Sequence, residues 1–224
     1  MESIKQYIQS IGFAFLIKIF SFFKVSFIVG SQMAWFSAIS MIAPLSGAFL
    51  GIFGSSLVLL IRFVIHYIAF KTISLSFLAF CIPGYFAALY WATQSSCIRV
   101  FIPFLCILLF ILHPIGSQAF VYSFYWLIPI GLFCIARKSL FLESLGSTFI
   151  AHAVGSVIWL YAVPSTVNMW LGLIPIVAIE RLLFAIGMVI FYQIAIGIRS
   201  LYSYFLPYWG QVVGIPKKAL TNNI

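Results

Sequence analysis

A chain of 224 residues that is 64% hydrophobic and 7% charged carries more apolar surface than a soluble domain of that length can hide. The formal charge of +9 comes from twelve basic and three acidic residues, and most of the basic ones fall at the ends of apolar runs, where they set membrane topology and argue against nucleic-acid binding. Three carboxylates are too few for the paired acids of metal or acid–base chemistry, and no nucleotide-binding, zinc-hydrolase or serine-hydrolase motif occurs. The chain reads as a helical integral membrane protein without a cofactor and without enzymatic activity.

Residues 1–24 form a basic, amphipathic N-terminal segment. Lys18 and Lys24 interrupt its apolar run and no small-residue cleavage site follows, so it does not read as a signal peptide. Residues 11–24 either lie in the membrane interface or begin a span. Residues 25–61 are uncharged between Lys24 and Arg62, and suit one long helix kinked at Pro44 or a tight hairpin. Further apolar spans are expected at 73–92, 97–112, 119–136, 145–163 and 171–198, followed by a polar tail over 207–224. Cys81, Cys97, Cys106 and Cys134 lie in or beside these runs with no C-x-x-C pair, and read as small hydrophobes.

Charge decides between the two readings of 25–61. With a single crossing at 34–61 the chain has six spans, and nine basic residues (Lys5, Lys18, Lys24, Arg99, Arg137, Lys138, Arg199, Lys217, Lys218) share one face against Arg62 and Lys71 on the other. A seven-span chain splits them five against six, with no bias. The positive-inside rule favours the first. The expected fold is therefore all-α: one polytopic membrane domain over 1–224, with six (at most seven) transmembrane helices in one bundle. Both termini would be cytoplasmic, in a bacterial or archaeal cytoplasmic membrane.

Ionisable residues inside apolar spans are costly and usually face an interior partner or a cavity. Glu180 and Arg181 sit side by side within "GLIPIVAIERLLFAIGMVIFY" (172–192). Neighbours on a helix point about 100° apart, so each is expected to find its own partner, in an interhelical clamp or a ligand or ion site. His152, Ser156 and Trp159 share one face of the 145–163 span, suited either to packing or to recognition of a polar, partly aromatic ligand. Ser147 is too far round the helix from His152 for a nucleophile–base pair. His113 opens the polar loop "HPIGSQ" and Trp170 begins the last helix, which places these candidates in one half of the bundle. Ala34/Ala38 and Gly47/Gly51 are small-x-x-x-small pairs that allow close helix approach or docking of a partner helix. Prolines 83, 103, 129 and 175 fall within spans, as in helices that line transport cavities.

"APLSGAFLG" (43–51), "IPGYFAALYW" (82–91) and "LIPIVAIERLLFA" (173–185), within a small six-span layout, resemble the substrate-binding S component of energy-coupling-factor vitamin transporters. The resemblance implies capture of a vitamin or related small molecule, delivered by toppling within a complex of a membrane scaffold subunit and two ATPases. The family's A-x-x-x-A docking motif maps onto Ala34 and Ala38; the long basic, aromatic N-terminal segment departs from the family. The alternatives are a structural or assembly subunit or a small secondary transporter and, ranked behind these, a lipid-acting intramembrane enzyme using His152 or His113.

Overall fold

The computed structural model of the chain describes residues 2–27, 35–135 and 139–212. Helix α1 (Glu2–Phe20) leads into an antiparallel β-ribbon, β1 (Lys24–Phe27) with β2 (Trp35–Ser37), and a short α2 (Ile39–Ile42). Then follow α3 (Leu45–Phe70), α4 (Leu75–Ala92), a π-helical turn (Cys97–Phe101), α5 (Ile102–Leu112), α6 (Pro114–Gln118), a 3-10 segment (Phe120–Trp126) and α7 (Leu127–Cys134). Helices α8 (Leu140–Ala162) and α9 (Val167–Val212) complete the described chain, with α9 running through position 207. The chain divides into two compact units, 1–188 and 189–224. Everything below concerns the first.

The expectation of six or seven transmembrane helices in one bundle does not hold. Among the described residues only α3, α8 and the 167–201 part of α9 are long and apolar enough to cross a membrane. The physical reason differs by region. At 24–42 the chain spends its apolar residues on the ribbon and a single helical turn, so α3 begins only at Leu45 and runs past Arg62 to Phe70. At 97–134 the expected pair of spans is cut by the π turn, by the break at His113 and by the 3-10 segment, leaving helices well short of the roughly 20 residues that a crossing needs. Helical content and membrane character stand. Large apolar side chains cover the outside of α3 (Phe53, Leu60, Ile68) and α9 (Ile179, Leu182, Ile186), which water would not tolerate as continuous faces.

Helix α4 lies between α3 and α8, and small residues allow the close approach. A Cβ on Gly47 would overlap the Ala88 carbonyl, and one on Gly146 would overlap the Tyr90 ring. Ser147 Oγ donates to the Ala87 carbonyl at 2.9 Å, and the Ser56 and Tyr85 hydroxyls lie 2.7 Å apart. Ser74 and Ser139 cap α4 and α8 by accepting from the amides of Phe77 and Leu142, both at 3.2 Å. Helix α8 is the interior one: 56% of its most apolar stretch is buried, against 17% for α3.

Helix α1 is neither a free interfacial helix nor a span by itself. Ser10, Ala14 and Ile17 recur at helical spacing on its buried face and meet α3. That contact falls at the one internal irregularity of α3, Gly51, whose φ of +66° leaves helical geometry. Gln6 Nε2 donates to the neighbouring Leu50 carbonyl at 3.2 Å, and Ser55 Oγ donates to the Gly51 carbonyl at 2.6 Å.

Candidate functional site

Helix α9 turns one face inward: Trp170, Val177, Arg181, Phe184, Ala185 and Met188 are buried at spacings of three, four and seven. Between this face, α8, α4 and the start of α3 lies a cavity of about 160 Å³. Its polar lining is Glu180 and Arg181 from α9, His152, Ser156 and Thr148 from α8, Tyr122 from the 3-10 segment, Arg62 from α3 and Ser40 from α2. Trp159, Trp170, Phe80 and Phe184 supply aromatic walls. Pro83 has no amide hydrogen to give the Ala79 carbonyl one turn earlier, and both residues line the cavity.

Six of the seven residues singled out as ligand candidates from the sequence (Glu180, Arg181, His152, Ser156, Trp159, Trp170) thus face one space. His113 stands elsewhere: its Nδ1 accepts from the Ile115 amide at 3.2 Å, capping α6, and its ring meets Tyr161 edge-on at 5.0 Å. Glu180 and Arg181 do reach each other, contrary to the expectation from their angular separation. The carboxylate lies 3.6 Å from the Arg181 guanidinium, because both side chains are long enough to bend toward the cavity. That is ion-pair distance. The guanidinium also lies over Phe184, 4.6 Å from the ring centroid.

His152 is held by two aromatic residues that the sequence reading passed over. Trp126 Nε1 donates to His152 Nδ1 at 3.0 Å, and Tyr122 Oη lies 2.7 Å from His152 Nε2. An indole only donates, so Nδ1 must accept and the imidazole carries its hydrogen on Nε2. Nε2 then donates to the Tyr122 oxygen, which leaves the Tyr122 hydroxyl hydrogen to point at Ser156 Oγ, 3.4 Å away, or into the cavity. Tyr122 and Trp126 are 2% and 0% exposed, so this network is buried, and the indole donor sets its direction. The 3-10 geometry turns them inward together, onto Phe110 and each other.

The residues read as docking positions fall out differently. Ala38 is buried and Gly47 abuts Ala88 of the same chain, so both serve internal packing. Gly51 is open to its surroundings but belongs to the break in α3. Ala34 lies outside the described residues.

A second charged cluster was missed altogether. Arg99, fully buried on the π turn, is joined through both terminal nitrogens to Glu143 in the first turn of α8. Its remaining donors go to the carbonyls of Thr93 (3.0 Å) and Tyr90 (2.6 Å) at the end of α4. Its guanidinium carbon lies 3.9 Å from the Tyr90 ring centroid. A cation therefore sits at one helix's carboxyl end and an anion at another's amino end, each where the helix dipole favours it. Arg99 is no topology marker, and Arg62, inside α3, is not a loop charge. The four cysteines are free thiols, with Cys81 and Cys106 buried and Cys97 and Cys134 exposed. No cluster able to hold a metal ion occurs among the described residues.

Comparison with protein-family models, with curated proteins and with solved structures gave no match for this chain. The chemistry of the site rests on its own geometry.

Proposed function

We propose that the chain is a membrane-embedded small-molecule-binding protein and that the cavity between α8 and α9 is its ligand site. The observation that carries this reading is convergence: a buried hydroxyl donor, an ion pair, a second arginine and four aromatic rings from separate elements face one space of about 160 Å³. Packing by itself does not assemble polar groups around a void, whereas ligand sites are mostly apolar with a few directed polar groups. Within a membrane, ionisable groups turned toward an interior space commonly mark a ligand or ion path.

Its role is uptake, as a binding subunit that presents its cargo to partners supplying energy. The stretch 173–185, whose resemblance to S components suggested this role, is the stretch that gives α9 its cavity-facing residues Val177, Glu180, Arg181 and Phe184. A vitamin-class cargo, a scaffold subunit with ATPases, a prokaryotic cytoplasmic membrane and the absence of catalysis belong to the same proposal. The test is a thermal-shift screen of vitamins and single-ring metabolites on the purified protein. It is run in parallel on Ala151→Trp, which fills the cavity from α8. At least one compound is expected to raise the unfolding temperature of the parent and not of the filled variant. A screen without hits, or a shift that survives filling, overturns the reading.

A further inference from the structure

Resting on the reading of the cavity as a ligand site, we infer that its ligand is a small single-ring organic anion, such as an aromatic carboxylate, whose charge is met by Arg62. The inference begins with a count of charge. Two arginines and one glutamate line the cavity, a formal excess of one positive charge, and the His152 ring, accepting from Trp126, adds none. Glu180 stands beside Arg181 at 3.6 Å. Glu143 is held by Arg99. Arg62 has no ion pair and no side-chain hydrogen bond among the described residues, yet it is half-buried within α3 and lines both the cavity and a small void beside Cys81 and Tyr85. A guanidinium removed from water without an anion is unfavourable by several kcal/mol. A ligand that brings a carboxylate removes that penalty and is selected by it.

Size and walls narrow the class. A space of about 160 Å³ compares with the roughly 150 Å³ cavity that accommodates benzene. It is of a size to admit one six-membered ring with a compact charged group. Trp159, Trp170, Phe80 and Phe184 offer ring faces and edges for that body. The Tyr122 hydroxyl hydrogen, left over once His152 Nε2 has donated to its oxygen, favours a ligand that carries an acceptor on or beside its ring.

A lipid phosphate offers Arg62 the same anionic chemistry, so the experiment separates the two sources. Labelled benzoate and its neutral isostere benzamide are compared by equilibrium dialysis against the purified protein in phosphatidylcholine nanodiscs. The comparison is then repeated with phosphatidylglycerol added. Benzoate is expected to bind at least tenfold more tightly than benzamide in both lipids. Arg62→Met is expected to abolish the preference and Arg62→Lys to retain part of it, with gel filtration confirming that both variants are folded. Equal binding of the two compounds overturns the charge assignment while leaving the cavity a ligand site. Loss of the preference in phosphatidylglycerol overturns it in favour of a headgroup. Binding of neither compound overturns the ligand class, and only a failed thermal-shift screen as well would sink the ligand site itself.

Discussion

Arg99 and Arg181 are both buried arginines beside a glutamate, and they are built to opposite ends. Around Arg99 all three nitrogens donate: both terminal nitrogens to Glu143, one of them also to the Tyr90 carbonyl, and Nε to the Thr93 carbonyl, with the guanidinium plane on the Tyr90 ring. The pair spans 44 residues and ties the end of α4 to the start of α8. Around Arg181 the carboxylate comes from the adjacent residue, at 3.6 Å, and both groups face open space. A pair that joins elements, with every guanidinium nitrogen engaged, is a structural clamp. The Glu180–Arg181 ion pair lies within one helix and so does not itself join two elements, and its placement on a cavity wall suits recognition. The sequence posed clamp against ligand site for Glu180 and Arg181; the molecule contains a clamp of that kind at Arg99 and Glu143.

The largest effect is expected where that comparison is sharpest. Arg99→Met leaves Glu143 buried without its partner and three carbonyl and carboxylate groups unsatisfied, a loss of about 3–5 kcal/mol. Thermal unfolding in detergent should show it, or the protein should fail to accumulate. The double replacement Arg99→Met with Glu143→Leu should recover much of the loss. If Arg181→Met costs as much as Arg99→Met, the distinction between clamp and site collapses.

Next comes Gly146→Ala, which places a methyl group against the Tyr90 ring on which Arg99 rests. Overpacking at such a contact costs about 1–3 kcal/mol. Unfolding should move to lower temperature while affinity for a cavity ligand in the folded fraction stays unchanged. A change in affinity equal to that of a cavity variant would mean that clamp and site are one unit. Tyr122→Phe removes the hydroxyl that links His152 to Ser156 and should cost about 1 kcal/mol. It should also weaken any ligand bearing a ring acceptor, as dialysis with matched compounds would show. The smallest stability change is expected for Glu180→Gln, about 1 kcal/mol or less, because glutamine keeps the side chain's shape and an acceptor oxygen. Benzoate affinity should rise several-fold once the carboxylate no longer competes for Arg181. A fall would mean that Glu180 itself holds the ligand.

Much of the site was legible because a polar residue inside an apolar run carries a strong signal: Glu180, Arg181, His152 and Ser156 announce themselves in "IERLL" and "AHAVGS". The helices α4, α8 and the first part of α9 were legible for the complementary reason, as long apolar stretches bounded by charge, proline or polar clusters. Arg62 was not, because its role depends on where α3 starts, and that depends on a β-ribbon formed by residues that look equally suited to a helix. Tyr122 and Trp126 were hidden by an irregularity of another kind, since a 3-10 segment does not follow the helical period from which faces are read. The Arg99–Glu143 pair is a tertiary event between residues far apart in sequence. Small-residue spacing shows that a close approach exists, and Gly47 shows that the approaching helix was the chain's own α4.

The break at Gly51 has a consequence for the order of assembly. Where α3 leaves helical geometry, its carbonyls require donors that hydrocarbon cannot provide. One of them, at Leu50, is met by Gln6 from α1. A nascent chain threading into a bilayer delivers α1 before the break arrives, so the donor is already waiting when the acceptor needs it. Helix α1 is thus made before the break that it serves, and its Gln6 side chain supplies at the Leu50 carbonyl what the surrounding lipid cannot.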